Sequence, residues 1–275
     1  MSTANESTLP LPASNPFFAR LNAFALNALR RGGAILAFFL LWELAPRFGL
    51  VDAAFLPPLS QVLQTGWKLT ANGQLIQHFQ ASLIRSVSGF GIAVVTAIPL
   101  GLAIGRYRLF SESVSPLLEL FRNTSPLALL PVFMLVFGIG ETSKIALVIY
   151  ACFFPILLNT ITGVVTVDPL LIKSARTMGL TPVRLFRKVI LPAAVPTIFV
   201  GIRLAGAISV LALVAAEMIG AKAGLGYLII YSQYNFQIPE MFLGIISITA
   251  VGLFISYSLR AAERRLSAWK NHSGE

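Results

Sequence analysis

The 275 residues are 56% hydrophobic and only 12% charged, with a mean hydropathy of +0.79. A soluble domain carries about 25% charge, and the apolar residues here come in blocks near the ~20 needed to cross a bilayer. An all-α, polytopic membrane protein is therefore expected. The net charge of +10 would suit nucleic acid if the basic residues shared one face. They lie between apolar blocks instead, which suits a membrane protein's positive-inside bias, so no nucleic-acid partner is expected.

Residues 1–32 read as a cytoplasmic tail. They are polar through Asn15 and lack the basic start, short apolar core and cleavage site of a removable signal. An amphipathic stretch at 17–29, ending at Arg30-Arg31, suits an anchor along the inner membrane surface. A first span at 33–45 is short and carries Glu43. Pro57-Pro58 forbids a regular helix, and Ser60 suits the N-cap of a short helix to Leu69. His78, at the foot of the next span, reads as an interfacial hydrogen-bonding residue rather than a ligand.

Span two covers 83–104 and ends at Arg106-Tyr107-Arg108. Span three, 114–136, holds Pro116, Pro126 and Pro131 together with Glu119 and Arg122. Such a span must be bent or broken, with its freed carbonyls satisfied by neighbours or by a water-lined cavity. Span four covers 145–165, span five 197–219 and span six 241–259, with outer loops at 138–144 and from Gly220. The membrane domain is thus 33–259, followed by a basic tail at 260–275. Cys152 is the only cysteine and sits in an apolar run, so packing is its expected role.

Between spans four and five lies a basic, amphipathic island at 166–192. Ala175, Met178, Leu185 and Val189 recur at helical steps, while Lys173, Arg176, Arg184, Arg187 and Lys188 cover the rest. Gly179 and Pro182 interrupt the run, so two short helices joined by a turn are expected. A partner could grip the apolar face, although anionic lipid could also hold such a loop at the inner surface. Of the 21 Lys and Arg, 14 fall in the tails, the loop after span two and this island. Arg47, Lys68, Lys144 and Lys222 fall on the other side. That bias puts both termini and the island in the cytoplasm.

No phosphate-binding G-x-x-x-x-G-K-[ST] loop, H-E-x-x-H or G-x-S-x-G motif occurs, so no catalytic or metal site is expected. The charges inside spans remain. Glu119 and Arg122 stand three apart and can pair. Arg203 and Glu217 are about 21 Å apart along one helix and cannot. Arg122 and Arg203 could line an anion route or be held by carboxylates or helix-end carbonyls. The two readings are balanced for Arg122, and packing is preferred for Arg203 and Glu217. Gly201, Gly206 and Ser209 allow close helix approach on span five, at a dimer seam or inside the subunit.

Lys173, Ser174 and Ala175, then Gly179, then Val189, Leu191 and Pro192 carry the spacing of the E-A-A…G…I-x-L-P coupling loop. This island resembles that loop of ATP-binding-cassette (ABC) importer permeases, with Lys173, Ser174 and Val189 departing from the consensus. The stretches FLPPLSQV, LLELFRNTSPLALLPVF and GIRLAGAISVLALVAAEMIGAKAGLGYLI are similar to the nitrate/sulfonate/taurine branch. The resemblance implies the type I permease fold with six spans in the inner membrane. Lys173, Ser174, Ala175, Gly179, Leu180, Val189, Leu191 and Pro192 would then couple to ATPase subunits. Glu119, Arg122, Asn123, Arg203, Ser209 and Glu217 are the candidates for the translocation path.

Implied partners are a second copy of the chain, two ATPase subunits that carry ATP and Mg, a periplasmic binding protein and membrane lipid. No cofactor is expected in the chain itself. An aliphatic sulfonate is the first choice of substrate, then nitrate or taurine. A self-sufficient ion-coupled carrier and, less favoured, a membrane-embedded enzyme stay as alternatives.

Overall fold

The computed structural model describes residues 16–266, all of whose regular elements are helices. The expectations for the tail through Asn15, for the side chains of 17–29 and for Lys270 lie outside the described residues. The chain divides into two compact units, one up to Gln61 and one from Val62 onward.

In the first unit, α1 (Pro16–Arg47) runs unbroken through the boundary expected at 32 and 33. Near its end, Glu43 pairs with Arg47 one turn on. The Glu43 carboxylate also accepts the Ser60 backbone N–H at 2.9 Å and the Ser60 hydroxyl at 2.8 Å. Ser60 is therefore not the N-cap of α2 (Leu59–Ala71): it lies inside the first turn, and Glu43 takes up a donor there. An acid at that end also suits the helix dipole. Trp42 ties its indole N–H to the Pro57 carbonyl at 3.1 Å.

The second unit contains the apolar helices. Four are long and apolar enough to cross a bilayer: α3 (Gln74–Arg106), α6 (Glu141–Val165), α9 (Leu191–Met218) with the turns that precede it, and α11 (Ile238–Leu266). A further pair, α4 (Arg108–Arg122) and α5 (Leu130–Phe137), is bent by 82° and counts as a fifth crossing if it forms one span. A sixth would have to come from the apolar end of α1. The remaining elements are short: α7 (Pro169–Thr177), α8 (Pro182–Leu185) and α10 (Leu225–Tyr234).

Helix α6 packs between α3 and α9. Between helices in lipid, close approach rather than water exclusion does most of the holding. A Cβ at Gly101 would fall 2.7 Å from Thr160 Cβ, and one at Gly89 2.7 Å from Val148 Cβ. Across the α6–α9 seam, a Cβ at Gly201 would fall 2.6 Å from Asn159 Cβ. Gly206 abuts Leu259 and Ile255 of α11, and Ser209 is buried beside Ser86. These small residues thus pack within the subunit. Cys152 is buried in the same core, its thiol 3.4 Å from the Ala205 carbonyl.

Candidate translocation and coupling sites

The 166–192 island is built as a hairpin. Asp168 caps α7, its carboxylate accepting the Leu170 N–H at 2.8 Å, and Pro169 follows at the first helical position, where its missing N–H costs nothing. The far end closes on Gly179, at φ +76°: the Leu180 N–H reaches the Ala175 carbonyl at 3.2 Å and the Gly179 N–H reaches Arg176 at 2.9 Å. This pair of bonds is a Schellman ending, which needs a left-handed residue and so favours glycine. A Cβ there would meet open space, so backbone conformation alone makes the demand.

The second helix of the hairpin does not end. α8 passes through a π turn at Phe186–Ile190 directly into α9, so Pro182–Met218 is one continuous helix. The Leu191 N–H bonds to the Phe186 carbonyl five residues back. Pro192 has no N–H to give and its ring crowds the carbonyl four residues before it; the wider turn before Pro192 eases that crowding.

One side of the hairpin is anchored in the bundle. Ala175, Leu185 and Ile190 are buried with Val164, Ala194 and Ile198, and Leu180 and Val189 pack against them. Met178 departs from the apolar face expected for it. It lies just past the last turn of α7 and is 78% exposed, and Leu170, Leu171 and Val183 of the hairpin are exposed as well. Lys173 and Ser174 are exposed, while Leu191 and Pro192 are half-buried.

Glu119, Arg122 and Asn123 follow one another at the end of α4, just before the bend into α5. The freed carbonyls are met locally: the Asn123 amide donates to Glu119 at 2.9 Å, the Thr124 hydroxyl to Leu120 at 3.1 Å, and the Tyr150 hydroxyl of α6 to Phe121 at 2.9 Å. Glu119 and Arg122 line one cavity with Ser111 and Ser115. No ion pair joins these two among the described residues. Arg122 also lines a second cavity of about 370 Å3, against Tyr150, Phe154, Asn159 and Leu204.

The other two intramembrane arginines are neutralised. Arg203 donates to Glu263 of α11 at 3.0 Å. Arg85 lies at the end of the bundle opposite the hairpin, between two carboxylates: it reaches Glu217 at 2.7 Å and forks onto Glu141. Glu217, 1% exposed, also takes the Ser82 hydroxyl at 2.8 Å and the Gly226 N–H at 2.9 Å. His78 joins by accepting the Gly224 N–H at 3.1 Å. Nearby, the Lys144 ammonium donates to the Gly140 and Gly220 carbonyls at 2.9 and 3.3 Å. Sequence reasoning compared Glu217 only with Arg203 and missed Ser82, Arg85 and Glu141. The available signal was charge balance: Arg85 and Glu217 are opposite charges within apolar segments, and such residues pair.

Membrane-length helices packed about α6, with a bent, polar-lined pair and a basic hairpin at one end, define a polytopic membrane protein. A family profile described as "binding-protein-dependent transport system inner membrane component" matches residues 97–268, and the chain belongs to that family. Its relatives are ABC permeases of the nitrate/sulfonate/taurine branch. It is 36% identical over 255 residues to a Brucella abortus protein named as a probable ABC transporter permease, covering 93% of this chain and 99% of that protein. SsuC of Bacillus subtilis, which carries the name of an aliphatic sulfonates transport permease, is 35% identical, with 84% of each chain covered. The taurine transport system permease protein TauC of Escherichia coli is 35% identical, covering 86% of this chain and 88% of that one. Among solved structures, the inward-facing methionine ABC transporter MetNI matches with a TM-score of 0.60 at 19% identity, over 70% of this chain and 96% of that one. That last likeness supports the fold alone.

Proposed function

We propose that this chain is the permease of an ATP-driven importer that moves a small oxyanion across the inner membrane by alternating access. Two copies of the chain would pair, each presenting its 166–192 hairpin to one ATPase subunit, with ATP and Mg on those subunits and a periplasmic binding protein delivering substrate. An aliphatic sulfonate ranks first as substrate, then nitrate or taurine, in line with the names that relatives carry. Both termini would be cytoplasmic, with anionic lipid around the basic tails.

The single observation that carries this reading is the hairpin's two-sidedness. Its inner face is anchored in the bundle, while Leu170 of α7 and Met178 at its end stand exposed, as does Lys173 of the same helix. Exposed apolar side chains among charged ones mark a contact with a protein or with the membrane surface, and the coupling-loop spacing through Gly179 to Pro192 favours the protein. Movement of a docked partner would then reach the spans as rigid-body rocking.

Purification tests it. An ATPase subunit is expected to co-elute in equal amount, and Met178→Glu with Val183→Glu is expected to strip it away without lowering the amount of permease in the membrane. Transport by the chain alone, with no ATPase attached, would favour the ion-coupled carrier instead.

A further inference from the structure

The three arginines of the bundle differ in what holds them. Arg85 has Glu217 and Glu141, and Arg203 has Glu263; Arg122 has no acidic partner among the described residues. We propose that the cavity beside Arg122 is a way station for an anion with a hydrocarbon tail, so that the permease itself favours an alkanesulfonate over nitrate and over taurine. This rests on the import reading above and adds substrate choice to it.

The argument is a gradient of polarity around one residue. On one side, Arg122 shares a cavity of about 220 Å3 with Ser111, Ser115 and Glu119. On the other, it shares the cavity of about 370 Å3 with Phe121, Tyr150, Phe154 and Leu204. Phe121, Tyr150 and Phe154 then continue into a nearly wholly apolar hollow of about 390 Å3 with Phe133 and Phe137. The polar groups of the middle cavity are largely engaged: the Tyr150 hydroxyl by the Phe121 carbonyl and the Asn159 amide by the Pro155 carbonyl at 2.8 Å. Arg122 is thus the one cation on that wall, and apolar surface extends away from it.

Each candidate anion meets this wall differently. Nitrate would pair with Arg122 and leave the aromatic surface against water. An alkanesulfonate would pair equally and cover that surface, tightening by about fourfold per buried methylene. Taurine would carry its ammonium to the same wall beside Arg122, a like charge. The attraction of the aromatic faces offsets only part of the water it sheds, because no carboxylate is among the residues lining the cavity. Glu119, the nearest acid in sequence, lies on the polar side.

The experiment is calorimetric titration of the permease with its ATPase in lipid nanodiscs, empty discs serving as the blank. The probes are nitrate, taurine, and ethane-, butane- and hexanesulfonate. Affinity is expected to rise about fourfold per methylene, with nitrate and taurine at least about tenfold weaker than butanesulfonate. Arg122→Gln is expected to abolish binding of every probe, and Phe154→Ala to flatten the dependence on tail length while sparing ethanesulfonate. Should Phe154→Ala fail to accumulate, Leu204→Ala gives the same comparison.

Equal affinity for nitrate and butanesulfonate, taurine as tight as ethanesulfonate, or a tail dependence unchanged in Arg122→Gln would each overturn the proposal. So would binding restored by adding Glu119→Gln to Arg122→Gln, which marks a structural pair. If the ATPase co-elutes and uptake proceeds but no probe binds, the way station fails and the importer stands. If no ATPase co-elutes, the importer reading fails, and the same titration on the chain alone still decides the way station.

Discussion

Glu217 is a carboxylate buried in the bundle, and its oxygens are answered by Ser82, Arg85 and the Gly226 N–H. The surrounding glycines follow from it. A side chain at Gly226 would start 2.6 Å from the Val214 carbonyl and 2.8 Å from Glu217 Cβ, and one at Gly224 would collide with the carboxylate itself. Removing one partner of such a pair leaves an uncompensated buried charge, at a cost of about 3–5 kcal/mol. Arg85→Met is therefore expected to lower the thermal stability of the purified complex sharply, and Arg85→Met with Glu217→Met to recover much of the loss. A double variant no more stable than the single one would show that the pair is not what holds this end. The partnership spans 132 residues, so local spacing could not show it. Helical rise ruled out Arg203 as the partner but could not point to α3.

At the scale of elements, the hairpin was legible in the sequence and its continuation was not. Gly179 and Pro182 marked the turn because glycine and proline act locally. That α8 would run on through a π turn into α9 depends on how Pro192 settles in a longer helix, which no short window shows. The break between α4 and α5 was legible for the same local reason, its prolines, whereas the satisfaction of the Phe121 carbonyl by Tyr150 depends on a neighbour. Gly179 gives the test. At φ +76° a β-branched side chain is strained even with open space around it, by about 1–2 kcal/mol or more. Gly179→Val is expected to leave membrane insertion intact, loosen ATPase binding and abolish uptake. Gly179→Asn, which tolerates the left-handed region, should keep part of both. Normal uptake by Gly179→Val would remove the role assigned to that turn.

For the whole molecule, the distribution of basic residues predicts that Thr181 faces the cytoplasm. A cysteine placed there should resist a membrane-impermeant thiol reagent in intact cells and react in inverted vesicles; labelling from outside would reverse the orientation. Cys152 is buried and should not interfere. The unbroken run from Pro182 to Met218 also has a mechanical consequence. Its 37 residues make a rod about 56 Å long, so a tilt of about 5° displaces one end relative to the other by about 5 Å. The rod begins in the hairpin and ends one residue past Glu217, which is clamped to α3 and α6 through Arg85. A lever gripped at its far end cannot swing freely there. Under the import reading, a push on Val183 or Arg184 would reach that clamp as far as the π turn, Pro192 and Pro196 leave the helix stiff, and what arrives there would load Arg85 against α3 and α6.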